Sequence, residues 1–348
     1  MDETSLLEKL KTVVAGRLKK PDAALSLAKL QGDASYRIYY RLSLSDGSSY
    51  IVMKLPAGKA SASEEITNLK TKPAEIPFVA VDRFLKARGL PVPEIYEVDE
   101  AAGILVLEDF GDETFEKRVM DASDDARKIW YRKAIDLLAT YQKATSSPDA
   151  GCVAYQRSFD ATLLNWEFDH FLEYGVETRL GVKIQEDDAR TLRTLTGRIT
   201  ESLVALPQIL VHRDFQSRNL MIQNEELHLL DFQDALMGPL PYDLVALLRD
   251  SYVALSPHLL LELVSYYQGL SPAAGSLPFQ TAFDLMTVQR KLKDAGRFVY
   301  IDRVKGNPSF LKHIPNSLRY VREAFGRLPD QKPLFDLLTR YVPEWRAP

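Results

Sequence analysis

An α+β protein built in two lobes is what this sequence predicts, on three observations. Up to about Leu107 the chain alternates apolar and polar residues in short runs bounded by turn residues, the pattern of antiparallel strands. From Ser123 onward the apolar residues recur at helical spacing instead. The chain is also 348 residues long, more than one hydrophobic core usually takes, so it should divide.

Taken in order, Ser5-Leu6-Leu7-Glu8 has the form of a capping box, and Leu7, Leu10, Val14 and Leu18 recur at helical spacing. An N-terminal helix that packs and performs no chemistry is the expectation. Leu25 to Leu30, Tyr36 to Leu44 and Ser49 to Leu55 read as three strands, the last two joined across Asp46-Gly47. In the second, Tyr36, Ile38, Tyr40, Leu42 and Leu44 face one way, and Arg37, Tyr39, Arg41 and Ser43 the other. Between the first two strands, Gln31 to Ser35 is a turn of small residues. It is open to two readings, a plain hairpin turn or a place where backbone amides around Gly32 and Ser35 approach phosphate oxygens. Lys54 ends the third strand, either as a solvated lysine or as one that holds nucleotide phosphates. Residues 56 to 75, with Gly58, Lys59, Ala60 and Ser61, read as a loop able to cover a site.

Phe78 to Arg88 carries Val81, Phe84 and Leu85 at helical spacing and stops at Gly89. Glu94 to Val98 and Ile104 to Leu107 form a further hairpin across Asp99 to Gly103, followed by Glu108-Asp109-Phe110-Gly111. Ser123 before Asp124 and Asp125 starts a helix whose apolar set is Ile129, Trp130, Leu137, Leu138 and Tyr141. Asp160 to Tyr174 is aromatic-rich and reads as core at helical spacing, with Glu167 alternatively in a pocket wall. Asp187 to Leu206 is a long amphipathic helix. Gly238-Pro239-Leu240-Pro241 makes a sharp turn, and Asp243 either caps the helix that follows or reaches back to brace an upstream loop. Gln289 to Phe298 reads as a basic helical end, either a solvated face or a surface for anionic groups.

Chemistry concentrates in Leu210 to Asp234. The apolar run Ile209 to Val211 reads as a buried strand delivering His212, Arg213 and Asp214 into a polar loop. A second run, Leu227 to Leu230, delivers Asp231, with the turn residues Asn224 and Glu225 between the two. Paired as a small ribbon, these strands would bring Asp214, Asn219 and Asp231 to one end. Phosphoryl transfer needs a carboxylate to accept the acceptor hydroxyl's proton and oxygen ligands to hold magnesium against the phosphates. The spacing His-Arg-Asp-x-x-x-x-Asn, followed by Asp231, supplies both, with Asp214 as base and Asn219 and Asp231 as metal ligands. The bland alternative is a polar loop whose Asp and Asn satisfy backbone amides. Asp109-Phe110-Gly111 is not the metal motif, because that motif should follow the catalytic loop and this one precedes it. A kinase helix should also offer a glutamate to Lys54. The expected place, near Phe78, is apolar, which leaves Asp82, Glu75 and Glu64 as candidates.

Composition narrows the partners. With 46% hydrophobic and 26% charged residues and a formal net charge of −4, nothing calls for nucleic acid or an anionic membrane, and a small molecule fits better. The single cysteine, Cys152, cannot form an intrachain disulfide, and no Cys/His cluster has zinc spacing. The acidic N-terminus is unlike a signal peptide, and no apolar run reaches about 18 residues without a charge. A cytoplasmic location is expected.

These motifs carry a resemblance. The chain resembles the aminoglycoside phosphotransferase and choline kinase superfamily, which shares the protein-kinase fold. Within it the chain is most similar to the cell-wall-recycling kinases that phosphorylate N-acetylmuramate and N-acetylglucosamine at the anomeric oxygen. The carrying residues are Gly32 to Arg37, Val211 to Asp214, Arg218 to Met221, Leu230 to Ala235, Gly238-Pro239, Tyr242-Asp243, and Gln289-Arg290 with Leu292-Lys293 and Gly296. The resemblance implies a sheet lobe over 1–107, a hinge over 108–112 and a catalytic lobe over 113–348, acting as a monomer. It implies ATP and Mg2+ as cofactors, Lys54, Gly32 and Ser35 at the phosphates, and Glu108 and Phe110 along the adenine. Asp234, Glu167 and Arg290 are the candidates for the amino sugar. An aminoglycoside, choline or amino-alcohol kinase, and a nucleotide-binding regulator of the same fold, are the competing expectations.

Overall fold

The computed structural model describes residues 3–30, 37–56 and 75–346. The first half is organised by a five-stranded antiparallel sheet in the order β1-β2-β3-β5-β4, formed by β1 (Leu25–Lys29), β2 (Ile38–Leu44), β3 (Ser49–Lys54), β4 (Ile95–Asp99) and β5 (Ile104–Glu108). Because side chains alternate across a strand, the central strands β2, β3 and β5 serve two cores. Leu42, Leu44, Val52, Ile104 and Val106 meet the N-terminal helix α1 (Glu3–Gly16), while Met53, Leu105 and Leu107 join the main core with α2 (Pro77–Lys86).

Helix α1 differs from expectation in its register. Its described span begins at Glu3, so Ser5 lies inside the first turn and not ahead of it, and the stripe at four-residue spacing that it buries is Leu6, Leu10 and Val14. Leu7, expected in that stripe, is only partly covered. Helix α2 carries a buried carboxylate, Asp82, which is 3% exposed and has one oxygen without a hydrogen-bond partner.

The second half is helical. Thr114 caps α3 (Phe115–Met120) and Ser123 caps α4 (Asp124–Ala144), each accepting a backbone N–H with its side-chain oxygen. Asp160 caps α5 (Ala161–His170) in the same way, and α5 continues into a π-helical turn, Phe171–Thr178. After α6 (Glu186–Val204) come four short strands, then α7 (Tyr242–Leu248), α8 (Pro257–Leu270), α9 (Pro272–Gly275), α10 (Phe279–Lys305), α11 (Ile314–Phe325) and α12 (Lys332–Thr339). Helix α10 runs through the interior and is packed by α5, α7, α11 and the π-helical turn. The segment Gln289 to Phe298 is therefore the buried middle of a long helix and neither a helical end nor a solvated face. Gln289, Arg290, Lys291 and Asp294 are all buried. Among the described residues no helix is long and apolar enough to cross a membrane.

Two expected outcomes follow from this packing. At Gly296 a Cβ would lie 2.9 Å from the Phe171 Cα and 3.0 Å from the His170 carbonyl oxygen. The contact is backbone against helix, so a flexible side chain cannot yield. Gly296→Ala gains up to about 1 kcal/mol of helix propensity but forces α10 off the π-helical turn, an overpacking cost of about 1–3 kcal/mol. A lower melting temperature is expected, and an unchanged one would mean that the two backbones separate easily.

The other concerns Asp82. Burial pushes its carboxyl up to about 7, with Lys86 pulling back and Glu94 adding to the rise. A raised carboxyl keeps a proton in the folded state that the unfolded chain releases near 3.8. Stability from this group is accordingly lost as pH climbs from that value to about 7. Asp82→Asn, which never ionises, should melt above the wild type at pH 8, with the gap narrowing toward pH 5. A gap that stays constant with pH would refute the assignment.

Candidate active site

The loop after Val211 is held by strands that pair otherwise than the spacing suggests. Strand β6 (Gln208–Val211) pairs with β9 (Leu236–Pro239), while β7 (Leu220–Gln223) pairs with β8 (Glu226–Leu229). The run at 209–211 and the run at 227–230 thus do not form one ribbon. Leu220–Gln223 is a strand in its own right, and the left-handed pair Asn224 (φ 51°) and Glu225 (φ 63°) turns it directly onto β8. Gly238 and Pro239 consequently belong to a strand, and the turn falls at Leu240-Pro241.

Between β6 and β7 the backbone is bent against its preferences. Arg213 has φ 78°, and past β8 Asp231 has φ 62°. Each left-handed non-glycine residue costs of order 1–3 kcal/mol and persists only where its surroundings impose it. Asp243, the second residue of α7, imposes it at Arg213. Its carboxylate accepts the His212 amide at 2.7 Å and the Arg213 amide at 3.0 Å. Of the two roles open to Asp243, the structure has it reach back to the loop. Asp250, just past α7, does the same further on, accepting the Ser217 amide at 2.8 Å and the Tyr252 amide at 3.0 Å.

The remaining bonds draw the polar residues together. Asn219 Nδ2 donates to the Asp214 carbonyl at 2.9 Å, and the Leu230 amide donates to the Asn219 carbonyl at 2.9 Å. Asn219 thereby links the loop to the residue preceding Asp231. Burial would raise the Asp214 carboxyl, but Arg290, then Lys293, Arg213 and His212, outweigh burial and hold it below the usual carboxylate range. Burial and the neighbouring Asp214 push Asp231 the other way, up to about 6, although Arg37 and Gln233 oppose this. Gln233 Nε2 donates to Asp231 Oδ1 at 2.8 Å and to Asp234 Oδ2 at 3.2 Å, and Arg37 approaches Asp231 at 3.4 Å. The other Asp231 oxygen and the Asn219 amide oxygen accept no hydrogen bond from the described residues. A half-partnered carboxylate that ionises reluctantly beside a second carboxylate, with an amide oxygen nearby, is a donor set suited to a hard divalent cation.

The other expected site residues divide. Lys54 pairs with Ile38 across the sheet, next to Arg37, so the end of β3 lies toward the Asp231 side. Of its candidate carboxylates, Glu75 is paired with Arg83, Asp82 has Lys86, Glu94 and Arg83 as its charged neighbours, and Glu64 lies outside the described residues. Gly32 and Ser35, with their turn, and all but the first and last residues of the 56–75 loop also lie outside them. Glu108 ends β5 and accepts the Glu94 amide on its side chain at 3.0 Å. Phe110 is stacked on His228 with centroids 4.1 Å apart. Asp109 is clasped by Arg41, at 2.7 and 3.1 Å to its two oxygens.

On the opposite side of the loop, Asp234 is 13% exposed in its side chain and 3.7 Å from Arg157. Glu167 is 1% exposed and accepts from Gln289 at 2.7 Å. Arg290 is 1% exposed and directed at Asp214. Asp250 and Arg157 stand in no motif of the sequence, and Arg37, Gln233 and Lys293 occur only within longer patterns. None carries a local signal, since each acts on a residue far away in the chain.

With this geometry in hand, comparison with known proteins is direct. The sequence profile of the phosphotransferase enzyme family matches residues 26–277. An N-acetylmuramate/N-acetylglucosamine kinase of Neisseria meningitidis serogroup B is 33% identical over 330 residues, 92% of this chain and 92% of that one. A protein of the same name from Pseudomonas putida is 32% identical over 329 residues, 92% of this chain and 90% of its own. Among solved structures, the choline kinase LicA from Streptococcus pneumoniae superposes with a TM-score of 0.61 at 17% identity, covering 92% of this chain and 99% of the other. The α+β architecture is thus the protein-kinase-like one, and the chain belongs to the phosphotransferase enzyme family.

Proposed function

We propose that this protein is an ATP-dependent sugar kinase that transfers the γ-phosphoryl group to the anomeric hydroxyl of N-acetylmuramate and N-acetylglucosamine. The carrying observation is the convergence of Asp214, Asn219 and Asp231 in a chain one-third identical, over 92% of its length, to a kinase named for those sugars. Asp214, kept ionised by the cations around it, accepts the proton of the attacking hydroxyl. Asn219 and Asp231 hold Mg2+, which when bound neutralises charge on the transferring phosphates. Lys54 contacts the phosphates, and the segment around Glu108 and Phe110 borders the adenine. On this reading residues 1–107 and 113–348 are lobes flanking a nucleotide cleft, and the enzyme works as a cytoplasmic monomer.

Electrostatics favours a neutral or acidic acceptor over a cationic aminoglycoside or choline. Arg290 and Lys293 both act on Asp214, so an approaching ammonium group meets like charge. Asp234 is the carboxylate suited to sugar hydroxyls. Lys293, whose side chain is 15% exposed against 1% for Arg290, is the cation suited to the lactyl carboxylate of N-acetylmuramate.

Product analysis tests the reading. Phosphorus-31 NMR should show coupling of the new phosphate to the sugar H1. Phosphate on C6, or turnover with choline or aminoglycosides and none with amino sugars, would overturn it. Asp214→Asn should cost about 10²- to 10⁴-fold in kcat while nucleotide binding survives, whereas Asp231→Asn should weaken Mg2+-dependent nucleotide binding. Lys293→Met should raise KM for N-acetylmuramate more than for N-acetylglucosamine, and equal changes would move the carboxylate contact elsewhere.

A further inference from the structure

Arg290 sits in the middle of α10, where a fully charged group has no sequence-level reason to be buried. Its side chain is 1% exposed. Nη1 donates to the Arg213 carbonyl at 2.8 Å, Nη2 lies 3.3 Å from Asp214 Oδ1, and the guanidinium stands 4.7 Å from the centre of the Tyr242 ring. Asp243, meanwhile, takes the amides of His212 and Arg213. The backbone is thus gripped on both sides of the left-handed Arg213 α-carbon, by a carboxylate before it and a guanidinium after it.

We propose that Arg290 is a positioning residue, which aims the Asp214 carboxylate at the acceptor hydroxyl by bridging it to the Arg213 carbonyl, and that it does not itself bind the sugar. This rests on the reading of Asp214 as the base. The fork geometry explains the residue type. One planar guanidinium spans a carbonyl and a carboxylate at fixed spacing, whereas a lysine ammonium on a flexible stem reaches them only as a point charge. Burial explains the exclusion of substrate. Both Nη atoms are engaged and the side chain is closed over, while Asp214 keeps 30% of its side chain exposed. The carboxylates around Arg290 are Asp214, Asp243 and Asp294, so the buried cation has partners on the loop, on α7 and on its own helix.

Because misplacing a reacting group by about 1 Å can cost 10²-fold, Arg290→Ala should lower kcat by about 10- to 100-fold. KM for both sugars and Kd for ATP should stay close to wild type, the pattern of an interaction that matters only in the transition state. Arg290→Lys should recover part of the loss. Guanidinium ion at millimolar concentration should restore activity to Arg290→Ala and leave wild type and Asp214→Asn unaffected. A KM increase confined to N-acetylmuramate with kcat preserved would overturn the proposal and make Arg290 a substrate contact. Loss of activity that tracks loss of melting temperature, without guanidinium rescue, would reduce it to a core residue. Should Arg290→Ala fail to fold, Arg290→Lys carries the test, where a wild-type kcat refutes the proposal and a lowered kcat at unchanged KM and melting temperature supports it. Asp214→Asn in parallel separates the two readings, since an active Asp214→Asn removes the base itself, whereas an inactive Asp214→Asn beside a fully active Arg290→Ala removes only the role of Arg290.

Discussion

One carboxylate, that of Asp243, accepting two successive backbone amides, is the interaction on which the rest of the site depends. Without it the left-handed turn at Arg213 would relax toward a preferred conformation, and Asp214 would swing with it. The bonds at 2.7 and 3.0 Å are fully buried, and above the value of about 7 to which burial pushes the Asp243 carboxyl they are charge-assisted, among the stronger contacts a loop can have. They also tie the loop to the first turn of α7, whose residues from Tyr242 to Leu248 are all buried. The polar loop is therefore anchored to the core beneath it. Asp250 repeats the device at Ser217, so α7 and the residues just past it present two acceptors to one loop.

Charge around this loop is arranged in opposed pairs. Burying an ion is expensive unless partners surround it, and α10 supplies cations where the loop supplies carboxylates. Arg290 faces Asp214 of the loop, while Lys291 is balanced within α10 by Asp294 at 2.5 Å. One consequence is an asymmetry between two carboxylates that lie close together. Asp214, next to the cations, is held ionised, while Asp231, further from them, pays for the proximity of Asp214. Under the proposed function, the two environments would separate a proton acceptor from a ligand for a divalent ion, as differing surroundings separate the roles of paired carboxylates generally.

The sheet is joined to the helical part by polar clamps as well as by packing. Arg41 of β2 reaches Asp109, Asp112 and the Gly111 carbonyl, so the segment after β5 is fastened to a strand two positions away in the sheet. Phe78 of α2 meets Phe232, one residue past Asp231, with centroids 4.9 Å apart. The Leu229 amide donates to the Pro91 carbonyl at 2.8 Å. The end of β8 that carries Asp231 is thus located from both sides.

What the sequence by itself determined was whatever depends on neighbours in the chain. Alternation in β2 assigned side chains to the two faces of a sheet. The cap at Ser123 marked a helix start, and the spacing from His212 to Asn219, followed by Asp231, marked the residues that converge. These patterns are local consequences of periods of 2 and 3.6 residues and of loop length, so they survive without knowledge of the fold. Tertiary structure alone decided which strands pair. An apolar run at 209–211 is equally compatible with β8 or β9, and only the tight turn at Asn224-Glu225 claims β8 for β7. It alone decided which of two roles Asp243 plays, and that Arg290 and Glu167 face inward. A charged residue reads the same whether it meets water or a buried partner, because its burial is set by elements far away in the chain, and so the basic-looking stretch at 289–298 became the interior of the protein.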